Sequence, residues 1–215
     1  MSKMFRRLGL KSAQSLIVGA LAFVLGIGFA VAEDKPSTST IIKSLTPQKT
    51  LTRGLSAPAA KTSAEDEAFI EGLRKRKTRS LSPVELDKVA TIAEDKPKID
   101  LEIQFELNSD RISRAAESTV EALGKALSDS ALKGNTFILA GHADALGDAE
   151  YNQSLSERRA AAVKRFLVQE YDIPEDRLVA VGYGQTRLKN KKDPYAAENR
   201  RVAVINMDDS QTAKK

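Results

Sequence analysis

Residues 137–163 constrain the fold of this chain more than any other stretch, because a strand pattern changes there into a helix pattern. Residues 137–140 are four consecutive apolar residues, which predict a short buried strand. Gly141 ends this run, and a polar turn containing Asp144 follows. After the turn, apolar residues recur at helical spacing; they are Leu155, Val163, Phe166 and Leu167. The stretch therefore predicts a strand, a turn and an amphipathic helix that runs from about Ala149 to Tyr171.

The residues on either side of this stretch continue the alternation of strands and helices. Residues 99–105 alternate apolar and polar side chains, as a half-buried strand does, and the apolar positions of residues 113–127 recur at helical spacing. Two further apolar runs, at 178–181 and 201–205, predict two more strands. In the order β-α-β-α-β-β, right-handed crossovers place both helices on one face of the sheet. We therefore expect an α/β fold, a two-layer sandwich with a mixed sheet and helices on one face.

The first 32 residues have the pattern of an export signal. A basic start is followed by an apolar run at 16–30 and by Ala30-Val31-Ala32, which matches the A-x-A pattern of a cleavage site. The pattern predicts a signal peptide at 1–32 that is removed after Ala32. A retained membrane anchor is the alternative, although the run is short for a helix that spans a bilayer.

The rest of the chain divides into four segments. Residues 33–81 are rich in Ser, Thr, Pro and Lys, and we expect a flexible, largely disordered linker in which residues 62–80 could form a short helix. Residues 82–97 begin with Ser-Pro-Val-Glu, a capping box that predicts a short helix leading into the domain. The domain proper is expected at 98–208, followed by a loose tail at 209–215.

Composition excludes several classes of function. The formal charge is +5, but four of the positive charges precede Glu33, so a nucleic-acid partner is not indicated. The chain has no Cys, which excludes disulfides, thiolate metal sites and thiol catalysis. His142 is the single histidine, which excludes a metal site built from several histidines; we interpret it as a structural hydrogen-bonding residue. No metal and no cofactor are therefore expected.

Three polar residues around the turn could form a binding site. Asp144 lies just past a strand end, and Asn152 and Arg159 are seven residues apart, which places them on one face of the helix. An anion, an amide and a cation could converge there on a small zwitterionic ligand. The alternatives are that Asp144 caps the turn or the helix and that Arg159 pairs with Glu150 or Glu157. Farther along the chain, the dipeptide at 200–201 carries two arginines that could approach the pocket or form ion pairs at a strand end.

Several motifs resemble the signature of the OmpA-like peptidoglycan-binding domain. They are Gly-His-Ala-Asp at 141–144, the pattern N-x-x-L-S-x-x-R-A-x-x-V from Asn152 to Val163, Gly-Tyr-Gly at 182–184 and Asn-Arg-Arg-Val at 199–202. The resemblance covers about residues 98–208, half of the chain. Two departures are visible: Glu106 stands where family members often have Asp, and residues 185–189 lack the usual Pro.

The resemblance implies non-covalent binding of peptidoglycan through the diaminopimelate residue of its stem peptide. It implies that Asp144 holds the ammonium of the ligand and that Arg159 holds its carboxylate. It further implies a pocket lined by residues of the helix and of the loop after the first strand, namely Asn152, Leu155, Glu106 and Asn108.

We therefore expect a non-enzymatic tether in the periplasm or cell envelope, with association to the outer membrane as one arrangement. Residues 33–97 could hold an envelope protein, or anionic lipid through the basic run at 74–77, for which a solvated helix end is the alternative. A component of an envelope complex whose N-terminal segment is the main functional part is a second hypothesis. A wall hydrolase using Asp144 and Glu106 is less favoured, because a carboxylate beside an arginine stays ionised and is unsuited to act as a general acid.

Overall fold

The structure, a computed structural model, describes residues 35–47, 63–76 and 80–208. The predicted signal peptide at 1–32 and the predicted tail at 209–215 lie outside these residues, as do residues 33–34, 48–62 and 77–79 of the predicted linker. No helix in the described ranges combines the length and the apolar character needed to cross a bilayer.

The described residues contain five α-helices and four strands. The helices are α1 (Thr38–Leu45), α2 (Ala64–Lys75), α3 (Pro83–Ile92), α4 (Arg114–Ser128) and α5 (Ala149–Tyr171). The strands are β1 (Lys98–Leu101), β2 (Phe137–Gly141), β3 (Leu178–Gly182) and β4 (Val202–Asn206). The predicted α5 agrees with the structure at both ends, and the predicted capping box of α3 is present, with Ser82 and Glu85 bonding reciprocally.

The four strands form one mixed sheet in the order β1-β4-β2-β3. Strands β2 and β3 are parallel, and β4 runs antiparallel to both β1 and β2. The predicted α/β sandwich with the order β-α-β-α-β-β is confirmed. The first strand is shorter than predicted: it ends at Leu101, and beyond it Phe105 makes only an isolated antiparallel bridge to Ile112 because the chain folds back through a tight loop.

The two crossover helices lie on one face of the sheet, as expected, and α1 joins them there. Buried residues of α4 and α5, such as Leu123 and Leu167, form one core cluster with Phe137 and Leu139 of β2. The opposite face is also covered, because α2 and α3 pack on Ile138 and its neighbours in a second cluster. The expectation of helices on one face therefore does not hold for α2 and α3. The apolar runs of β2, β3 and β4 expose apolar side chains on both faces, and both faces need cover.

Helix α1 lies in the segment 33–81, where we expect a largely disordered linker with one short helix within 62–80, the position of α2. Ser37 caps the helix by accepting from the Thr40 backbone N–H at 3.2 Å, and Ile41 and Leu45 are fully buried in the core beside α4. The side chain of Asn206 donates to the Leu45 carbonyl at 2.9 Å. Two buried residues in an eight-residue helix are too few to give a clear sequence period, so the segment was not recognisable as part of the domain.

Replacing Leu45 by Ala tests whether α1 is a structural part of the domain. Removing a fully buried leucine side chain leaves a cavity, so Leu45→Ala should lower the free energy of unfolding by about 2–5 kcal/mol, as measured by urea denaturation. The matched control is Lys43→Ala, which changes an exposed position of the same helix and should leave the unfolding curve within about 0.5 kcal/mol of wild type. Equal curves for both variants would show that α1 does not contribute to the core.

Candidate ligand-binding site

Three loops meet at one edge of the sheet. Strands β1 and β2 run antiparallel to β4, and β3 runs parallel to β2. The carboxyl ends of β1, β2 and β3 therefore lie together beside the amino end of β4. The loops at this edge are residues 102–113, 142–148 and 183–201. The carboxyl ends of parallel strands in open α/β sheets are where ligands usually bind.

Helix α5 approaches this edge of the sheet very closely. Gly141 and Gly182 are neighbours in the parallel register of β2 and β3. A Cβ atom on Gly141 would overlap the backbone oxygen of Ser156, and one on Gly182 would overlap the Ser156 hydroxyl and Glu157. The Ser156 hydroxyl also accepts from the Gly184 backbone N–H at 2.8 Å. The absence of side chains at these two glycines is what allows the first half of α5 to lie directly over the strand ends.

Asn152, on α5, is buried and connects two of the loops. Its Nδ2 atom donates to the carbonyl oxygens of Asp144 and Leu146, at 3.3 and 2.9 Å, and to Oε1 of Gln185 at 2.8 Å. The N–H donors of the Asn152 side chain are therefore already bonded to groups of the protein. In the structure, Asn152 therefore orders the loops around the candidate pocket.

Asp144 is almost fully buried and makes two contacts with its carboxylate. Oδ1 accepts from the Leu146 backbone N–H at 3.1 Å, so Asp144 does stabilise its own turn. Oδ2 lies 2.7 Å from Nη1 of Arg200. The helix cap is a different residue, Asp148, which accepts from the Tyr151 backbone N–H. The cation paired directly with Asp144 is thus Arg200. From the sequence, Arg200 could equally approach the pocket or form an ion pair at a strand end.

Arg159 lies between the loops and α5, half-buried. Its Nε atom donates to the Ser109 carbonyl at 3.2 Å, and its guanidinium group lies 4.9 Å from the centre of the Phe105 ring. Among the residues that the structure describes, no carboxylate is within ion-pair distance of Arg159, so the expected alternative pairing with Glu150 or Glu157 is not seen.

The charges of this site influence one another. Burial is the main effect on the pKa of Arg159 and lowers it. Among the neighbouring groups, Tyr151 and Asp144 raise this pKa, and Arg200 lowers it. Asp144, Arg159 and Arg200 therefore form one charged cluster, which contains two cations and one anion. The next residue, Arg201, belongs elsewhere: its Nε atom pairs with Asp100 at 3.1 Å as a strand-end ion pair.

The remaining predicted site residues lie in different environments. Glu106 and Asn108 are exposed on the loop after β1, and Asn108 has a left-handed backbone with φ of 51°. The Glu106 carboxylate lies 3.6 Å from Arg111. Leu155 is buried on α5. The loop that carries both residues is joined to α5 by the Ser109–Arg159 hydrogen bond.

His142 is buried just past the carboxyl end of β2 and behaves as a structural residue. Its ring stacks on Tyr183 with ring centres 5.3 Å apart, and its backbone N–H donates to the Arg201 carbonyl at 2.9 Å. Within the described residues its Nδ1 atom has no hydrogen-bond partner. Burial, helped by the positive charge of Arg201, lowers the pKa of His142 from 6.5 to about 3, so the imidazole is neutral at physiological pH.

The part of the chain that the structure describes contains no group of three or more His, Cys, Asp or Glu side chains arranged to hold a metal ion. A groove of about 630 Å³ does exist between α2, α5 and the outer edge of β3, but none of the predicted site residues lines it. The charged cluster thus remains the candidate site.

The buried neutral His142 should make stability depend on pH. His142 takes up a proton near pH 6.5 in the unfolded chain and only near pH 3 in the folded chain. The folded state therefore has its full stability, as far as His142 is concerned, above pH 6.5 and loses stability as the pH falls towards 3. The expected slope is at most about 1.4 kcal/mol per pH unit. His142→Phe keeps an aromatic ring against Tyr183, and its unfolding free energy should lack this component in urea titrations between pH 7 and 4. Parallel curves for the two proteins would contradict the expectation.

Residues 104–201 match the OmpA family. The chain is 34% identical over 107 residues to outer membrane porin F of Pseudomonas aeruginosa, a match covering 49% of this chain and 30% of that protein. It is 37% identical over 102 residues to the peptidoglycan-associated lipoprotein of the same species, covering 46% of this chain and 58% of the relative. The chain therefore spans less than two thirds of the length of either relative.

Among solved structures, the chain is similar to the peptidoglycan-associated lipoprotein of Burkholderia pseudomallei. The identity is 22% and the TM-score is 0.41, and the match covers 48% of this chain and 87% of that one.

Proposed function

We propose that this chain, whose residues 104–201 form a domain of the OmpA family, binds peptidoglycan non-covalently and acts as a tether in the cell envelope. The observation that carries the proposal is the half-buried Arg159, which has no carboxylate partner among the described residues and lies in one charged cluster with Asp144 and Arg200. The matching lipoprotein from P. aeruginosa is named for its association with peptidoglycan, which supports the same ligand class.

The diaminopimelate of the stem peptide is the group that best fits this cluster. It carries an ammonium and a carboxylate on one carbon atom, and the planar guanidinium of Arg159 can bind a carboxylate through two parallel hydrogen bonds. Asp144 can accept from the ammonium, and its pairing with Arg200 leaves Arg159 as the cation available to the carboxylate.

The size of these interactions suits a tether. Each charge-assisted hydrogen bond contributes about 1.5–3 kcal/mol, so a few of them give an affinity in the micromolar range, about −8 kcal/mol. A single contact of this kind is reversible. A polymer with many copies of the ligand keeps the protein attached through rapid rebinding.

The proposal places the chain in the periplasm or at the outer membrane. Porin F, one of the relatives, is named as an outer-membrane protein. An envelope protein or anionic lipid bound through residues 33–97 is part of the proposal. Because α1, α2 and α3 pack on the domain, the surface offered to such a partner would include the exposed faces of these helices.

We propose binding without catalysis. A wall hydrolase would need one carboxylic acid that stays protonated near neutral pH. Asp144 pairs with Arg200 at 2.7 Å, and Glu106 is exposed to solvent on its loop. Neither residue has the surroundings of a general acid.

Sedimentation with purified insoluble peptidoglycan tests the proposal. Wild type should sediment, and Asp144→Asn and Arg159→Ala should each weaken binding by about tenfold or more, because each removes a charge that the ligand needs. Asn at 144 keeps an oxygen to accept from the Leu146 N–H, so the turn is preserved. Soluble diaminopimelate should compete with the polymer.

The matched control for Arg159→Ala is Arg158→Ala. Arg158 is the preceding arginine on α5, is exposed and bonds to Ser154, so its loss should not change sedimentation. Binding by both site variants as strong as that of wild type would refute the pocket assignment. Release of soluble muropeptides by wild type would show that the protein is a hydrolase and not only a tether.

A further inference from the structure

The outer edge of β3 carries backbone groups that point away from the sheet. β3 is the last strand in the order β1-β4-β2-β3, so only its inner edge is paired, with β2. Just past β3, the Tyr183 backbone N–H donates to the Gly141 carbonyl of β2 at 2.9 Å. Backbone groups along a strand point alternately to its two sides. Those of Val181 therefore also point to β2, and those of Ala180 and Gly182 point outward.

The middle of this outer edge is open, although both of its ends are occupied. At one end, the outward carbonyl of Gly182 accepts from Nε2 of Gln153 at 2.7 Å. At the other end, the Leu178 N–H donates to the Glu175 carbonyl. Within the described residues, the outward N–H and C=O of Ala180 have no hydrogen-bond partner. Ala180 thus offers a donor and an acceptor side by side.

A groove of about 630 Å³ runs along this edge and has a different wall on each side. On one face of the sheet the wall is α5, which contributes Arg158, Lys164 and Arg165. On the other face the wall is formed by α2 and the residues before α3, which contribute Leu73 and Leu81. The volume lies in the range of about 300–1,000 Å³ that is usual for binding clefts. One wall is thus rich in cations, and the other presents two leucines.

Positive charge exceeds negative charge in the lining of the groove. Four cations and two carboxylates line it, namely Arg76, Arg158, Lys164, Arg165, Glu157 and Glu175. Lys164 pairs with Glu175 at 3.3 Å, whereas Arg76 and Arg165 pair with carboxylates that do not line the groove. In the part of the chain that the structure describes, Arg158 has no carboxylate within ion-pair distance. The charge of the groove therefore complements an acidic occupant.

We propose that this groove binds an extended, acidic segment of a partner protein, which adds to the sheet beside β3. Hydrogen bonds to the Ala180 backbone hold the segment, and its side chains face the two walls alternately. Acidic side chains on one side meet Arg158 and its neighbours on α5, and apolar side chains on the other meet Leu73 and Leu81. None of the predicted peptidoglycan-binding residues lines the groove, so the inference does not depend on the proposed function.

The geometry disfavours a second copy of this chain as the occupant. Four of the five residues of β3 are buried, and only Ala180 is partly exposed. The edge therefore lies between the walls that α2 and α5 form, and these walls leave room for one strand but hinder the edge of another sheet. Two copies of the groove would also bring like charges together.

Binding of fluorescent peptides to the full chain, measured by anisotropy, tests this inference. The probe is a capped peptide of alternating Glu and Val, about seven residues long, which can span the five residues of β3. The comparison peptide has Lys in place of each Glu. The acidic peptide should bind about tenfold more tightly than the basic one, because only its charge complements the groove.

Two methylated forms of the acidic peptide test whether it binds as a strand. N-methylation of every Glu removes the N–H groups on one side of an extended peptide, and N-methylation of every Val removes those on the other side. The form whose blocked side faces Ala180 should bind about tenfold more weakly, and the other should bind nearly as the parent peptide does. The form that loses affinity also identifies whether the segment runs antiparallel or parallel to β3.

Three variants of the protein test the two contacts. Arg158→Glu should weaken the acidic peptide and strengthen the basic one, each by about fivefold. Its matched control is Lys43→Glu on α1, which packs on α4, β1 and β4, and this reversal should change neither affinity. Ala180→Pro removes the outward N–H and should weaken the acidic peptide by about fivefold. Proline is tolerated in an edge strand when its nitrogen faces outward, and thermal unfolding should show that all three variants fold.

Four results would overturn the inference. They are a failure of the acidic peptide to bind, equal affinities for the acidic and basic peptides, equal affinities for the two methylated forms, and affinities unchanged in both Arg158→Glu and Ala180→Pro. A wild-type dimer in analytical ultracentrifugation that Ala180→Pro converts to a monomer would also overturn it, because the occupant would then be a second copy of the chain.

Discussion

The close packing of α5 on the ends of β2 and β3 is the constraint on which the rest of the site depends. Gly141 and Gly182 have no Cβ atom that would clash with α5, so Ser156 lies directly against both. The Ser156 hydroxyl accepts a hydrogen bond from the Gly184 backbone N–H in the next loop. Only at this short distance can Asn152 reach the loop carbonyls and Arg159 reach the Ser109 carbonyl. The two glycines, which belong to the sheet, thereby fix the position of side chains that belong to the helix.

The electrostatic character of the site follows from the loops that this packing brings together. The two arginines reach the cluster from different elements, Arg159 from α5 and Arg200 from the loop before β4, and Asp144 offsets only one of their charges. With one cation in excess, the cluster suits the proposed ligand, which brings its own carboxylate.

Periodicity and motif spacing predicted the strands, the bounds of α5 and the positions of Asp144 and Arg159, because each depends on local sequence. What could not be predicted depends on contacts between distant residues. Helix α1 is buried through only two side chains and joins α4 from far along the chain. The partner of Asp144 is 56 residues away, on a loop whose path no local pattern defines. The cover on the second face of the sheet likewise arises from helices that precede the domain in the sequence.

The docking of α1 also determines how the domain would carry a mechanical load. Lys35, just before α1, donates to the Ala115 carbonyl at 2.7 Å and lies 3.1 Å from the Ser118 hydroxyl, so the chain meets the domain at the first turns of α4. Those turns lie at the same edge of the sheet as Arg159. Tension between the chain before Lys35 and a ligand at the proposed site would act on the domain at this one end. The strands would bear little of that force, so the contact between α1 and α4 would yield before the sheet did.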